Sequence, residues 1–446
     1  MTAATELAAP LGPQDRAALT RKRYAAERRF RLYGLGAIGI ALAALVLLLY
    51  SVLERGLPAF SQTYIRAEIF LDPAVLDPAG ARDPEAIKKV MTFGYAPLIK
   101  ASLAGLAGDL QAEGAPGITP QLLAKMVSEG ASGELRRFVL ANPEDIGKTV
   151  EFDFLATGRI DQYVKGNITR ESAAGDARLD AAQLDAADAL QRLGVMERRF
   201  NWAFLTNPDA SENRPESAGL GVALIGSAYM MLIVLTLSLP IGVAASIYLE
   251  EFAPKNRLTD IVEVNIANLA AVPSIVFGIL GLAIFINFAG LPISAPIVGG
   301  LVLTLMTLPT IIISTRAAIK SVPPSIKEAA LGVGASKMQA IFHHVLPLAM
   351  PGILTGTIIG LAHALGETAP LLLIGMVAFV KEYPAGLPDG LFDPATALPV
   401  QVYNFTQRAD PAFVERASGA ILVLLVFLVV MNGIAIVLRQ KFERTW

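Results

Sequence analysis

Residues 264–315 read VNIANLAAVPSIVFGILGLAIFINFAGLPISAPIVGGLVLTLMTLPTIIIST, without a single Asp, Glu, Lys or Arg. About 20 apolar residues cross a bilayer as an α-helix, which satisfies its own backbone hydrogen bonds in lipid. This run is long enough for two crossings, and Gly290, Pro292 and Pro296 in its middle place a hairpin there. Four further runs, residues 32–53, 218–249, 338–366 and 417–438, are equally free of charge. Together they predict six membrane helices, at roughly 32–53, 218–249, 266–288, 296–317, 350–380 and 417–438. The fold class is an all-α polytopic membrane protein, with an α+β domain inserted between helices one and two.

Composition agrees. The chain is 54% hydrophobic and 17% charged, the balance of a polytopic membrane protein with a polar insert. Cysteine is absent, which rules out a disulfide framework, a thiolate metal site and a cysteine nucleophile. The three histidines are His343, His344 and His363, a poor supply for a zinc or haem enzyme. The net charge of −2 says little, because the charge is unevenly placed.

Orientation follows from the cations at the ends. Arg16, Arg21, Lys22, Arg23, Arg28, Arg29 and Arg31 precede the first run, and Arg439, Lys441 and Arg444 follow the last. Cytoplasmic flanks carry such excesses, and an even helix count puts both termini on the cytoplasmic side. The first run ends at Leu53-Glu54-Arg55 without a small-residue cleavage site, so it reads as an anchor rather than a signal peptide. The resulting plan is a basic cytoplasmic tail (1–31), helix one (32–53), an extracytoplasmic domain (54–217), a transmembrane domain (218–438) and a cytoplasmic tail (439–446). The expected location is a bacterial inner membrane.

The 54–217 insert is mildly acidic and large enough to bury its own core. Asp83-Pro84-Glu85 and Thr119-Pro120 have the form of helix starts. Val150, Phe152 and Phe154 alternate with Glu151 and Asp153 as in a half-buried strand. Thr157-Gly158 predicts a turn into a second strand over 159–168, and 173–200 reads as a charged helix. The segment holds no phosphate loop and no catalytic constellation. A docking or regulatory domain and a plain accessory spacer account for it equally.

Between the fourth and fifth helices stands Glu328-Ala329-Ala330-Leu331-Gly332-Val333-Gly334, followed by Leu346-Pro347. Ser325 and Glu328 have capping-box spacing, which predicts a short helix over 325–333. Ala329 and Ala330 keep one face small, and Gly334 permits a sharp reversal. An ordinary capped interfacial helix is the bland alternative. The full spacing, however, resembles the cytoplasmic coupling loop (about 320–347) by which ABC importer permeases grip their ATPase. His344 departs from it, standing where that pattern has an apolar residue.

Ala271-Val272-Pro273-Ser274-Ile275-Val276-Phe277-Gly278, Leu308-Pro309-Thr310-Ile311 and Gly366-Glu367-Thr368-Ala369-Pro370-Leu371 extend the resemblance to the A-type permeases of phosphate-specific ABC importers, over about residues 218–438. The resemblance implies a subunit of an ATP-driven inorganic phosphate importer and a heterodimer with a second permease. It also implies two ATPase subunits and an extracytoplasmic phosphate-binding protein, with ATP and Mg held by the ATPases. The chain has no Walker-type loop of its own and no sign of nucleic-acid binding. It is therefore expected to be a transport subunit without cofactor rather than an enzyme. The insert resembles an added domain of some proteobacterial members.

Glu367 lies in an otherwise apolar segment, where an ionisable side chain is a functional candidate by default. His363 is one helical turn earlier and shares its face; family members often carry Arg there. With Thr368 and Arg316 these residues form the expected translocation path. Arg316, alone at the end of helix four, either steers an anion or snorkels to the interface. His343 and His344 read as interfacial rather than metal-binding. Competing readings are a permease for phosphonate, molybdate or sulfate, a membrane-anchored sensor with 54–217 as input, and a secondary transporter. The Gly366-to-Leu371 run argues against the first. The second lacks an output module, and the third lacks an internal repeat.

Overall fold

The computed structural model describes residues 13–442 apart from 79, 81, 83–86, 113, 114, 116, 177 and 378. The expected helix start at Asp83-Pro84-Glu85 and the tail cation Arg444 lie outside the described residues. The chain forms two compact units, residues 1–54 and 55–446. The first is essentially one helix, α1 (Pro13–Gly56), of 44 residues. At 1.5 Å per residue it is about 66 Å long, roughly twice the hydrocarbon thickness, so only part of it lies in lipid.

The inserted domain is built on a three-stranded antiparallel sheet of order β2-β1-β3. These are β1 (Ser61–Phe70), β2 (Thr149–Leu155) and β3 (Met196–Phe200). Tyr64 faces Leu155 and Phe70 faces Thr149 in one ladder, while Ser61 faces Phe200 in the other. Ile65, Ala67 and Ile69 of β1 point into a core with Phe154, Leu103, Leu135, Ile160 and Leu190. Arg66 points the other way and meets Glu151 at 3.1 Å and Asp153 at 3.6 Å, as cross-strand charges do. Around the sheet lie α2 (Ala131–Ala141) and α3 (Gly158–Val164).

Two expectations fail here. Residues 159–168 are not a strand: β2 takes β1 as its partner, and the chain after Thr157 turns into α3, which buries Ile160 and Asp161. Nor is 173–200 one helix. A helix starts at Ala181, capped by an Asp180–Gln183 box, and ends at Arg192. Gly194, at φ +73°, then redirects the chain into β3. The start at Thr119-Pro120 is present, with the Thr119 hydroxyl accepting from the Leu122 N–H.

Five helices among the described residues are long and apolar enough to span a bilayer, six if one bent pair counts as a span. Besides α1 the spans are α4 (Gly221–Ile247), the bent pair α5 (Arg257–Leu269) and α6 (Ser274–Gly281), and α7 (Pro296–Lys320). After the short α8 (Pro324–Gly332) come α9 (Leu346–Gly366), a stub α10 (Ala369–Leu373) and α11 (Ala412–Phe442). The expected straight helix over 266–288 is instead bent by 103° between α5 and α6. Pro273 disfavours helical geometry in the residue before it, and the chain breaks there. Met230, Val234, Phe277, Val302, Leu365 and Leu371 form one apolar core joining α4, α6, α7, α9 and α10.

The inserted domain is fixed to the start of α11 by buried charge. Lys165 Nζ lies 2.6 Å from Asp161 Oδ2 and 2.8 Å from Glu415 Oε1. Glu415 also accepts from Gln162 Nε2 at 2.5 Å and Asn167 Nδ2 at 3.0 Å. Asp161 accepts from the N–H and hydroxyl of Thr63 at 2.9 and 2.7 Å. Next to Glu415, Arg416 donates to Gln62 Oε1 at 2.6 Å and to the Ala59 carbonyl, and its guanidinium lies over Phe204. Each charged side chain named here has its partners, the condition under which buried ions are tolerated, while Gln62 Nε2 has none among the described residues.

Candidate functional site

Two regions of the transmembrane unit gather the residues singled out in the sequence. The first is the connection from α7 to α9. The helix α8 begins at Pro324, and Pro323 precedes it without a side-chain cap. Proline suits the first helical position, so Ser325 already lies inside the first turn and the expected Ser325–Glu328 box does not form. A capping box forms instead between Ser336 and Gln339. Glu328 and Ala329 are exposed and Ala330 is buried. Leu331 and Val333 are 41% and 87% exposed, an apolar tip left open among the described residues. Gly334 follows at φ +92°, with open space where a Cβ would stand. Its N–H bonds the Leu331 carbonyl and the Ala335 N–H bonds the Ala330 carbonyl, closing the reversal. A wide helical turn, Ile341–Val345, then carries the chain into α9, which Leu346-Pro347 opens. His343 and His344 both line a groove with Val322, Ile326 and Leu348.

This connection is tied to the segment after α4 and to α5 by charges of which the sequence singled out only Arg316. Arg316 Nε lies 3.3 Å from Glu250 Oε2, and its Nη2 lies 2.8 Å from Glu263 Oε1. Lys320 also reaches Glu250, at 3.3 Å. Lys327 of α8 pairs with Glu251, whose backbone carbonyl accepts from Lys337. Arg316 is thus neither a free anion-steering cation nor a snorkelling one; two carboxylates occupy it. The available signal was Glu250-Glu251, an acidic pair immediately after a charge-free run.

The second region is the break after α9. The helix ends at Gly366, and Glu367 has extended backbone (φ −77°, ψ 127°). The predicted helix over 350–380 is therefore cut short. Pro370 cannot donate to the Gly366 carbonyl, and its ring would clash with it in a continuous helix. His363 Nε2 lies 3.2 Å from Glu367 Oε1, so the two share a face as their spacing implies. The His363 side chain is 67% exposed and that of Glu367 only 17%. Thr368 accepts from the Leu371 and Leu372 N–H groups through its carbonyl and opens α10. The break packs on α6: a Cβ at Gly278 would stand 2.7 Å from Pro370 Cα. Two of the sequence motifs, 271–278 and 366–371, thereby meet. Non-helical backbone at membrane depth is tolerated where protein or a cavity surrounds it.

Residues 238–445 match the family described as the binding-protein-dependent transport system inner membrane component. Residues 17–174 match a domain of unknown function, DUF3333. The probable ABC transporter permease protein YqgI of Bacillus subtilis is 34% identical over 227 residues, which cover 48% of this chain and 76% of that protein. The chain belongs to the ABC transporter permease family. The permease is also 32% identical to the phosphate transport system permease protein PstA of Xylella fastidiosa, over 52% of its own length and 78% of the relative. The corresponding PstC protein of Pasteurella multocida is 29% identical, over 55% and 82%. A solved structure of the inward-facing MetNI methionine ABC transporter aligns over 50% of the permease and 97% of that chain, at 16% identity and a TM-score of 0.40.

Proposed function

We propose that this permease forms half of the translocation path of an ATP-driven importer of inorganic phosphate. The carrying observation is the similarity to PstA proteins over three-quarters or more of their length, from Xylella fastidiosa at 32% identity and Mycobacterium tuberculosis at 33%. The Gly366-to-Leu371 run, placed at the break after α9, agrees with it. Similarity to both a PstA and a PstC protein suits pairing with a second, related permease. Two ATPases would supply ATP hydrolysis with Mg, and a binding protein outside the membrane would deliver the ion. Affinity belongs mainly to that protein, because a pore must also release its cargo. Deleting the permease should abolish high-affinity phosphate uptake while sulfate and molybdate uptake continue. Loss of sulfate or molybdate uptake instead would reassign the cargo.

In this scheme the exposed tip around Leu331, Val333 and Gly334, with Glu328, Ala329 and Ala330 behind it and Leu346-Pro347 beyond, enters an ATPase groove on the cytoplasmic side. The termini share that side, and residues 54–217 lie outside. A cysteine at Ser172 should then react with a membrane-impermeant thiol reagent in intact spheroplasts, and one at Ser336 should not. The reverse labelling would overturn the orientation.

Glu367, with His363 and Thr368, lines the path and gates it. A bare carboxylate repels phosphate, so the contact with His363 is the element that can switch. Glu367→Gln keeps the size and the hydrogen bonding but removes the charge. Uptake by the reconstituted complex should fall by about tenfold or more, as for a lost interaction of roughly 1.4 kcal/mol. If Glu367 merely packs, Gln is nearly neutral, since intramembrane hydrogen bonds average about 0.6 kcal/mol.

A further inference from the structure

Arg137 on α2, Arg214 in the connection leading to α4, and Lys381 in the loop after α10 line one cavity of about 230 Å³. They come from three separate stretches of chain and converge where the inserted domain meets that loop. Among the described residues none of the three has a carboxylate at ion-pair distance. Arg214 Nε reaches only Ser211 Oγ, at 3.2 Å. Elsewhere Arg66, Arg159, Arg170, Lys165 and Arg408 are each paired with acids.

The acids that do face the cavity leave its charge largely unbalanced. Asp209 is engaged by both terminal nitrogens of Arg408. Burial pushes the Glu134 carboxyl up to about 7; Arg137 and Arg214 pull it down and Glu216 pushes it up, so near neutral pH only part of it is ionised. Ser217 also lines the cavity, and its Oγ is buried without a hydrogen-bond partner among the described residues. A low-dielectric cleft lined by one sign of charge concentrates counter-ions.

We propose that this cavity binds a small tetrahedral oxyanion, with inorganic phosphate and sulfate sharing the required chemistry. Two guanidinium forks offer paired N–H donors to adjacent oxygens, and Lys381 adds a point charge. On the same measure one water needs about 10–15 Å³, so the cavity has room for one such ion and part of its shell. Bound there, the anion ties the inserted domain to the loop that follows the Glu367 break. This gives the inserted domain a ligand of its own, whichever cargo the permease carries.

The test is equilibrium binding of radiolabelled phosphate, and in a separate arm sulfate, to the full-length permease in lipid nanodiscs without ATPase or binding protein. Saturable binding is expected in at least one arm, and the arm that binds identifies the anion. Arg137→Gln and Lys381→Gln, both at exposed side chains, should each weaken it by about tenfold. Arg214→Lys, which keeps the charge but loses the fork, should weaken it less. Lys125→Gln, at a neighbouring polar cavity, and Glu367→Gln should leave it unchanged. No saturable binding in either arm, or binding indifferent to Arg137 and Lys381, overturns the proposal. So does binding that is lost only with Glu367. Because no translocation is measured, a failed phosphate-uptake assay would leave this site standing.

Discussion

Gly334→Val should abolish ATP-driven uptake and co-purification of the ATPase while the permease remains inserted at normal levels. Gly334 sits at φ +92°, a region a β-branched residue avoids at a cost of about 1–3 kcal/mol. Open space surrounds the position, so the effect comes from backbone conformation and not from a clash. The strain is relieved most easily by opening the reversal held by the Gly334 and Ala335 N–H groups, which displaces Leu331 and Val333. Gly332, two residues earlier at the end of α8, provides the comparison. Its backbone needs no positive φ and a Cβ there meets nothing, so Gly332→Ala should preserve both uptake and assembly. Normal uptake and full ATPase recovery with Gly334→Val would remove the tip from the coupling surface.

The largest loss of stability is expected for Lys165→Ala. The Lys165 side chain is 1% exposed and touches both Asp161 and Glu415. Removing it leaves two buried carboxylates facing each other without a counter-charge, a defect of about 3–5 kcal/mol. The apparent melting temperature of the detergent-solubilised chain should drop by roughly 10 °C. Lys125→Ala, at an exposed ion pair with Asp180, should change it little. Equal behaviour of the two variants would show that the junction between inserted domain and α11 is not held by this cluster.

The sequence made the membrane helices legible because absence of charge is a local property. It did not show their breaks, because apolarity runs unbroken through Pro273 while the backbone cannot. At Pro370 the same reasoning was available, and the helix was nevertheless carried past Glu367. In the inserted domain β2 was legible from its alternation. Its partner was not, since β1 precedes it by some 80 residues and pairing between distant strands leaves no local mark. The His363–Glu367 contact could be read from helical spacing alone. The partners of Arg316 could not, because Glu250 and Glu263 reach it from two other helices. Glu415 and Arg416 lie just before the last charge-free run, and nothing nearby in the chain points to Lys165 or Gln62.

The clamp at α11 also orders events in time. Lys165 and Asp161 leave the ribosome some 250 residues before Glu415, and Gln62 some 350 before Arg416. Once β3 is made, the inserted domain has every strand of its sheet but not the acid and the guanidinium that complete its buried face. A chain that stalls or fails to insert its last helix therefore carries an open, charged wound on an otherwise finished domain. Proteases acting on exposed chain can tell such a product from the mature permease without inspecting the membrane at all.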